Sequence, residues 1–200
     1  MAVKSEQENT VVRLWLLLRR VGDWMALAED LVYSKYGITY EQFAVLGCIK
    51  SRGLLRPTDL ASLLERSPNS VSMLVDRMVK SGLVRRARDK KDRRVVFVSM
   101  TDKGKEAIDF AAPAGWAFVQ KVVSVIPDDD QRTLANMLEI MKCELVSYVN
   151  PEMDKTEIIK NSFTRDPNLH KRLVKQVLPR GYQAKGKAGE KRKSVRGKRS

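Results

Sequence analysis

LASLLERSPNSVSMLVDRMVKSGLVRRARDKKDRRVVFVSMTDKG, residues 60–104, is the stretch that decides the fold. Pro57 suits the first turn of a short helix carrying Leu60, Ala61, Leu63 and Leu64. Glu65-Arg66-Ser67 reads as a turn. Ser67 is a good N-cap and Pro68 a good first helical residue. Val71, Leu74, Val75 and Met78 supply an i, i+3, i+4, i+7 stripe, which predicts a helix over residues 68–81, closed by Gly82. Residues 83–88 and 95–100 read as two strands joined by Asp89-Lys90-Lys91-Asp92-Arg93-Arg94, and Thr101 caps the helix after them. The pattern predicts a mainly α fold with a small β-wing: a helix-turn-helix, a charged hairpin beside it, and flanking helices.

Working outward, Thr39-Tyr40-Glu41-Gln42 is a capping box opening a helix whose Phe43, Leu46 and Ile49 face inward, with Gly53 as its stop. Upstream, Ser5-Glu6-Gln7-Glu8 reads as a second capping box, followed by a long helix to about Tyr33. Val11, Leu14, Trp15, Leu18, Gly22, Met25, Ala28 and Val32 form one apolar stripe on it, and Leu17, Trp24, Leu27 and Leu31 lie to one side. An ordinary surface helix needs one stripe. The wider coverage predicts burial on two sides, one against its own domain and one against another chain. Downstream of Thr101, Pro113 and Gly115 predict a kink or break. Pro127 and Asp128 open a last helix striped by Leu134, Leu138, Met141, Leu145 and Tyr148.

Charge is uneven along the chain. The 200 residues carry 38 Lys+Arg against 24 Asp+Glu, a net +14. Residues 151–200 hold 15 basic and 5 acidic residues, and residues 77–105 hold 11 and 3. Basicity concentrated in the hairpin and the C-terminal part points to a polyanion partner. Residues 154–162 and 167–178 each have the pattern of a short helix, whereas residues 179–200 have too few hydrophobes to fold alone. The organisation expected is a DNA-binding domain over 1–150, with a helix-turn-helix and wing core at 39–101 and flanking helices at 5–33 and 102–150. A helical extension at 151–178 and a basic disordered tail at 179–200 follow.

Other classes of function are disfavoured. Cys48 and Cys143 lie far apart with no Cys or His neighbours, so neither a zinc motif nor a disulfide framework is expected. His170, the single histidine, has no triad or metal partner in the pattern. No Gly-rich phosphate loop is present, no apolar run is long enough to span a membrane, and the N-terminus is too polar for a signal peptide. We expect no enzyme activity, no cofactor, no metal and no membrane partner, and a cytoplasmic protein associated with a bacterial or archaeal nucleoid.

The residues expected to grip duplex DNA follow from chemistry. In the helix over 68–81 the outward N-terminal residues are Asn69, Ser70, Ser72 and Met73, with Arg77 a turn later. A recognition helix presents its N-terminal half to base edges; Asn pairs bidentately with adenine and Arg with guanine. The helix N-terminus at Ser67 and Pro68 also offers free N–H groups of its first turn to a phosphate. Four cations, Lys90, Lys91, Arg93 and Arg94, repel one another within six residues, so fold stability does not explain them and a phosphate backbone or a narrow minor groove does. Asp89 and Asp92 are placed to orient an arginine by a bidentate pair.

The combined text resembles the winged-helix core of the MarR family of bacterial transcriptional regulators. The matching pieces are Leu60-Ala61, then Val71-Ser72-Met73-Leu74-Val75-Asp76-Arg77-Met78, Gly82-Leu83-Val84, the loop from Asp89 to Arg94, and Thr101-Asp102-Lys103-Gly104. The resemblance covers about residues 5–150 and not 151–200. It implies a homodimer built on the first and last two helices, with one recognition helix per subunit in successive major grooves of a pseudo-palindromic operator. It also implies that a wing arginine, Arg94 foremost, reaches the minor groove, and that Asp76 is structural, paired with Arg93 or Arg94. The family often binds small aromatic or anionic effectors, for which Trp15, Trp24, Phe43 and Phe110 are the candidate lining here. The function implied is a sequence-specific transcriptional regulator, a repressor before an activator, modulated by such an effector. The alternatives are a non-specific architectural DNA-binding protein using the winged helix and basic tail, and a winged helix turned to protein contacts.

Overall fold

A computed structural model describes residues 2–89 and 92–149. Helix α1 (Ala2–Tyr33) leads through a short 3₁₀ turn to α2 (Tyr40–Arg52), α3 (Pro57–Leu63) and α4 (Pro68–Lys80). Strands β1 (Val84–Arg88) and β2 (Val96–Met100) follow, then α5 (Asp102–Val123) and α6 (Asp128–Val149). The fold is mainly helical with a small wing. The expected extension helices and tail lie outside the described residues, as do Lys90 and Lys91.

The caps form as the sequence dictates. Thr39 accepts the Gln42 N–H and the Gln42 side chain accepts the Thr39 N–H, a reciprocal box at the start of α2. Pro57 and Pro68 occupy first turns, and Ser67 accepts the Ser70 N–H at 3.2 Å. Val71, Leu74, Val75 and Met78 of α4 are buried against Val45, Leu46, Leu60, Ala61, Val84 and Val98 in one core. Gly82, at φ +73°, ends α4: the Leu83 N–H reaches back to the Met78 carbonyl, which satisfies a helix-end acceptor.

The strands pair antiparallel, Val84 opposite Met100 and Arg88 opposite Val96. Leu55, between α2 and α3, adds a bridge to β2, its carbonyl accepting the Val98 N–H at 2.7 Å. The Thr101-Asp102-Lys103-Gly104 segment clamps the end of α4. Thr101 Oγ1 donates to the Gly82 carbonyl at 2.6 Å while accepting the Gly104 N–H, and Lys103 Nζ donates to the Ser81 carbonyl at 2.8 Å. At Gly104 a Cβ would lie deep inside van der Waals contact with the Leu83 carbonyl oxygen, so the backbones meet there only because the side chain is missing.

Three expectations are corrected. Helix α1 begins at Ala2, so Ser5-Glu6-Gln7-Glu8 lies within it rather than capping it; Ala2, Val3 and Lys4 carry nothing that stops a helix. Helix α5 runs unbroken past Pro113. Ala111, Ala112 and Gly115 on either side of it are buried, and a Cβ at Gly115 would collide with the Tyr33 ring of α1, so that glycine serves packing rather than interruption. Ser72, expected to face outward, is half-buried.

Helices α1 and α6 contrast with this core. In the single chain α6 has no buried residue, and α1 leaves Val11, Leu14, Leu17 and Leu27 exposed, with Trp24 at 71% and Leu31 at 69%. Among the described residues no helix is long and apolar enough to cross a membrane.

Candidate nucleic-acid interface

Helix α4 shows two faces. Its apolar stripe is sealed, and Asn69, Ser70, Met73, Asp76 and Arg77 are exposed on the other side, Met73 at 65%. Ser70 hydroxyl lies 2.8 Å from Ser67 Oγ, so both hydroxyls are held at the helix start beside the Asn69 N–H. Arg77 stands 3.9 Å from Glu41 of α2, whose carboxylate also pairs with Arg66 in the turn before α4. One carboxylate thus holds two guanidinium groups beside the helix.

The wing is shaped by backbone bonds to aspartate. Asp92 N–H donates to Asp89 Oδ1 and Arg94 N–H donates to Asp92 Oδ1, each at 2.9 Å. These local bonds fold the hairpin tip and leave Arg93 and Arg94 exposed. The expected guanidinium pairing is corrected for Asp92, which accepts the Arg94 backbone N–H instead.

The partner of Asp76 is also corrected. It pairs with Arg86 of β1 at 2.9 Å, not with Arg93 or Arg94. The register explains why. Arg86 sits opposite Val98, whose side chain is in the core, so the period-two pleat points Arg86 toward the face that α4 covers. The neighbouring Arg85 points the other way and donates to Ser99, its cross-strand partner, at 3.2 Å. Arg93 and Arg94 belong to the tip, beyond the paired strands. Arg86 was legible in the sequence by counting two residues on from buried Val84.

Sequence reasoning therefore missed Arg66, Arg86 and Glu41, which position the basic groups around α4. It also grouped Trp15, Trp24, Phe43 and Phe110 as the candidate lining of one pocket, and the described residues place the two tryptophans apart. Trp15 and Trp24 are nine residues apart on α1, so they point to opposite faces roughly 13 Å apart along the axis. Both are exposed, as is Phe110, whereas Phe43 stacks on Tyr33 with ring centroids 4.5 Å apart. Tyr33, Tyr40 and Phe43 make the aromatic seam between α1 and α2. Burial, then the Glu29 carboxylate nearby, pushes the Tyr33 phenol well above its usual range. Burial likewise pushes the Cys48 thiol up to about 11, Arg52 pulling weakly the other way, so little thiolate exists there at neutral pH.

A sealed helix-turn-helix followed by a paired hairpin defines the winged helix-turn-helix class. Residues 38–96 match the model described as the MarR family. The HTH-type transcriptional repressor MdtR of Bacillus subtilis (strain 168) is 28% identical over 103 residues, covering 52% of this chain and 66% of that one. The HTH-type transcriptional regulator MgrA of Staphylococcus aureus is 34% identical over 77 residues, covering 38% and 52%. The chain thus spans about two thirds of one curated relative and half of the other. Among solved structures, a mutant MarR of E. coli complexed with operator DNA superposes with a TM-score of 0.61 at 25% identity, covering 66% of this chain and 96% of that one. A MepR–DNA complex of S. aureus gives 0.59 at 25% identity, covering 65% and 96%.

Proposed function

We propose that this chain is a homodimeric, sequence-specific reader of duplex DNA that regulates transcription from the nucleoid in the cytoplasm, in the first instance as a repressor. The observation that carries this reading is the exposed N-terminal half of α4 joined to a basic wing through Asp76 and Arg86. Two elements tied by an ion pair approach one DNA face with a fixed offset. In this reading Asn69, Ser70, Met73 and Arg77 face base edges in the major groove, with Ser67 and Pro68 at a phosphate. Arg93, Arg94, Lys90 and Lys91 hold the flanking backbone, Arg94 entering the minor groove. Asp76 and Asp92 shape the frame. Similar proteins support it: the repressor MdtR, and the MarR mutant complexed with operator DNA.

The apolar faces of α1 and α6 support dimerisation, because large contiguous apolar patches are rare on monomers. In this organisation residues 39–101 read DNA and 5–33 with 102–150 join the two copies. Residues 151–200 add charge. Modulation by a small aromatic or anionic effector belongs to the same proposal, and the seam of Tyr33, Tyr40 and Phe43 between α1 and α2 is where it would act on the reading head.

Selection of preferred duplexes from a random pool tests the proposal. We expect a pseudo-palindrome. A salt titration then separates specific reading from architectural binding, since each neutralised phosphate contributes a slope of roughly −0.9 in log K against log salt. Removing residues 180–200, with 9 basic and 1 acidic residue, should flatten that slope and leave the sequence preference intact. Equal binding to all duplexes, with and without those residues, overturns sequence-specific reading.

A further inference from the structure

We propose that Glu65 and Lys142 are positioning residues, whose ion pair locks the turn before α4 onto α6 and so sets the separation at which two copies of α4 read DNA. The inference rests on the dimeric reading above and deepens it. The turn is short: Leu64 caps α3 and Ser67 caps α4, leaving only Glu65 and Arg66 between them. Glu65 is the one non-glycine residue with positive φ, +52°, among the described residues. That conformation is costly for a residue with a Cβ. Its side chain leaves the helix-turn-helix and pairs with Lys142 of α6 at 3.1 Å, both side chains being about two thirds covered. Arg66 points the other way, to Glu41 at the start of α2. Two backbone bonds, Glu65 N–H to the Ser62 carbonyl and Arg66 N–H to the Ala61 carbonyl, stiffen the turn itself. A stiff turn held on one side by α2 and on the other by α6 has no slack. A shift of α6 moves Ser67, and with it the N-terminal half of α4.

The geometry therefore assigns the pair a role in spacing rather than in base choice. The test uses the full chain and duplexes carrying two copies of the selected half-site at varied separations around one helical turn, roughly 10 base pairs. The unaltered chain should prefer one separation. Lys142→Met should flatten that preference by about threefold to tenfold, a range expected when both protomers lose a partly covered ion pair. Base preference within each half-site should stay the same. Glu65→Gly removes the same side chain while relieving the backbone, so it should flatten the preference without loss of thermal stability. The exchanged pair, Glu65→Lys with Lys142→Glu, should restore it. In parallel, amide hydrogen exchange at Leu64, Glu65 and Arg66 should quicken severalfold in Lys142→Met without DNA. Unchanged spacing preference together with unchanged exchange overturns the proposal, as does failure of the exchanged pair to restore either readout. If the unaltered chain prefers no duplex at all, the DNA-reading function falls, and the exchange measurement alone decides the joint: faster exchange supports it and unchanged exchange overturns it.

Discussion

The winged helix and the helices flanking it are built to opposite rules. In the winged helix, Leu46, Leu60, Val71, Val75, Met78 and Val98 are sealed from water by side chains of the same chain. In α6 no residue is buried, and Tyr148 is 89% exposed although it continues an apolar stripe. Both regions carry regular helical patterning, so periodicity alone does not say where an apolar face finds its cover. One region completes its core internally; the other presents a face that only a further surface completes. Stability should therefore reside in the first and assembly in the second, which gives five ways to break the contrast.

The largest effect is expected inside the winged helix. Gly104→Val drives a side chain into the Leu83 carbonyl, a backbone group held by Thr101 at one end of α4. Backbone cannot move aside as a flexible side chain does, so chemical denaturation should show a loss of about 3 kcal/mol or more. A loss below about 1 kcal/mol would mean that the clamp between α4 and α5 yields.

Next comes the flanking region. Leu138→Glu combined with Leu145→Glu places two charges on the exposed α6 stripe. In an isolated chain such surface changes alter stability by less than about 0.5 kcal/mol each. In a dimer they bury unpaired charge and split it. Sedimentation should report monomers while circular dichroism still reports a folded winged helix, and affinity for a two-half-site duplex should fall by about 100-fold, or ~2.7 kcal/mol. A duplex carrying a single half-site should be bound as before. A dimer that survives both substitutions would place the interface elsewhere.

Arg94→Ala removes an exposed side chain from the wing tip: its backbone N–H, not its guanidinium, makes the bond to Asp92. Thermal stability should stay unchanged, and operator affinity should weaken by about 1–3 kcal/mol if the guanidinium enters a groove. Arg86→Ala offers the sharper comparison. It frees Asp76, so wing and recognition helix lose their fixed offset and both stability and affinity fall.

Much of this was legible before any coordinates, and the exceptions share a cause. Caps at Thr39, Ser67 and Thr101, stops at Gly53 and Gly82, and the buried stripe of α4 are local signals, written within a few residues of where they act. Partner choice across elements is not local. Asp76 found Arg86 because strand register, set by the pairing of Val84 with Met100, turned that side chain inward. Glu41 gathered Arg66 and Arg77 because α2 and α4 cross there. Gly115 suggested interruption in one dimension and proved a contact for Tyr33 in three. Trp15 and Trp24 looked like neighbours by type, yet nine residues of helix set them back to back.

The smallest effect lies at the seam of the two regions, where α1 meets α2. Glu29 is half-buried there, one turn before Tyr33, and burial, then the neighbouring Asp30, raises its carboxyl above the usual carboxylate range. A raised folded-state value means that the folded chain holds the proton more tightly than the unfolded chain does. The associated stability is fully present below the unfolded value, near 4.3, and is lost as pH rises through the folded one. At neutral pH the charged carboxylate therefore works against folding. Glu29→Gln should match the unaltered chain at acid pH and become the more stable of the two as pH rises through that window, by less than any change above because water screens a half-exposed group. Thermal melts across the window read the sign directly. A variant that is less stable at neutral pH would show that Glu29 has a partner compensating its burial, and that the seam is held by charge as well as by the stacking of Tyr33 on Phe43.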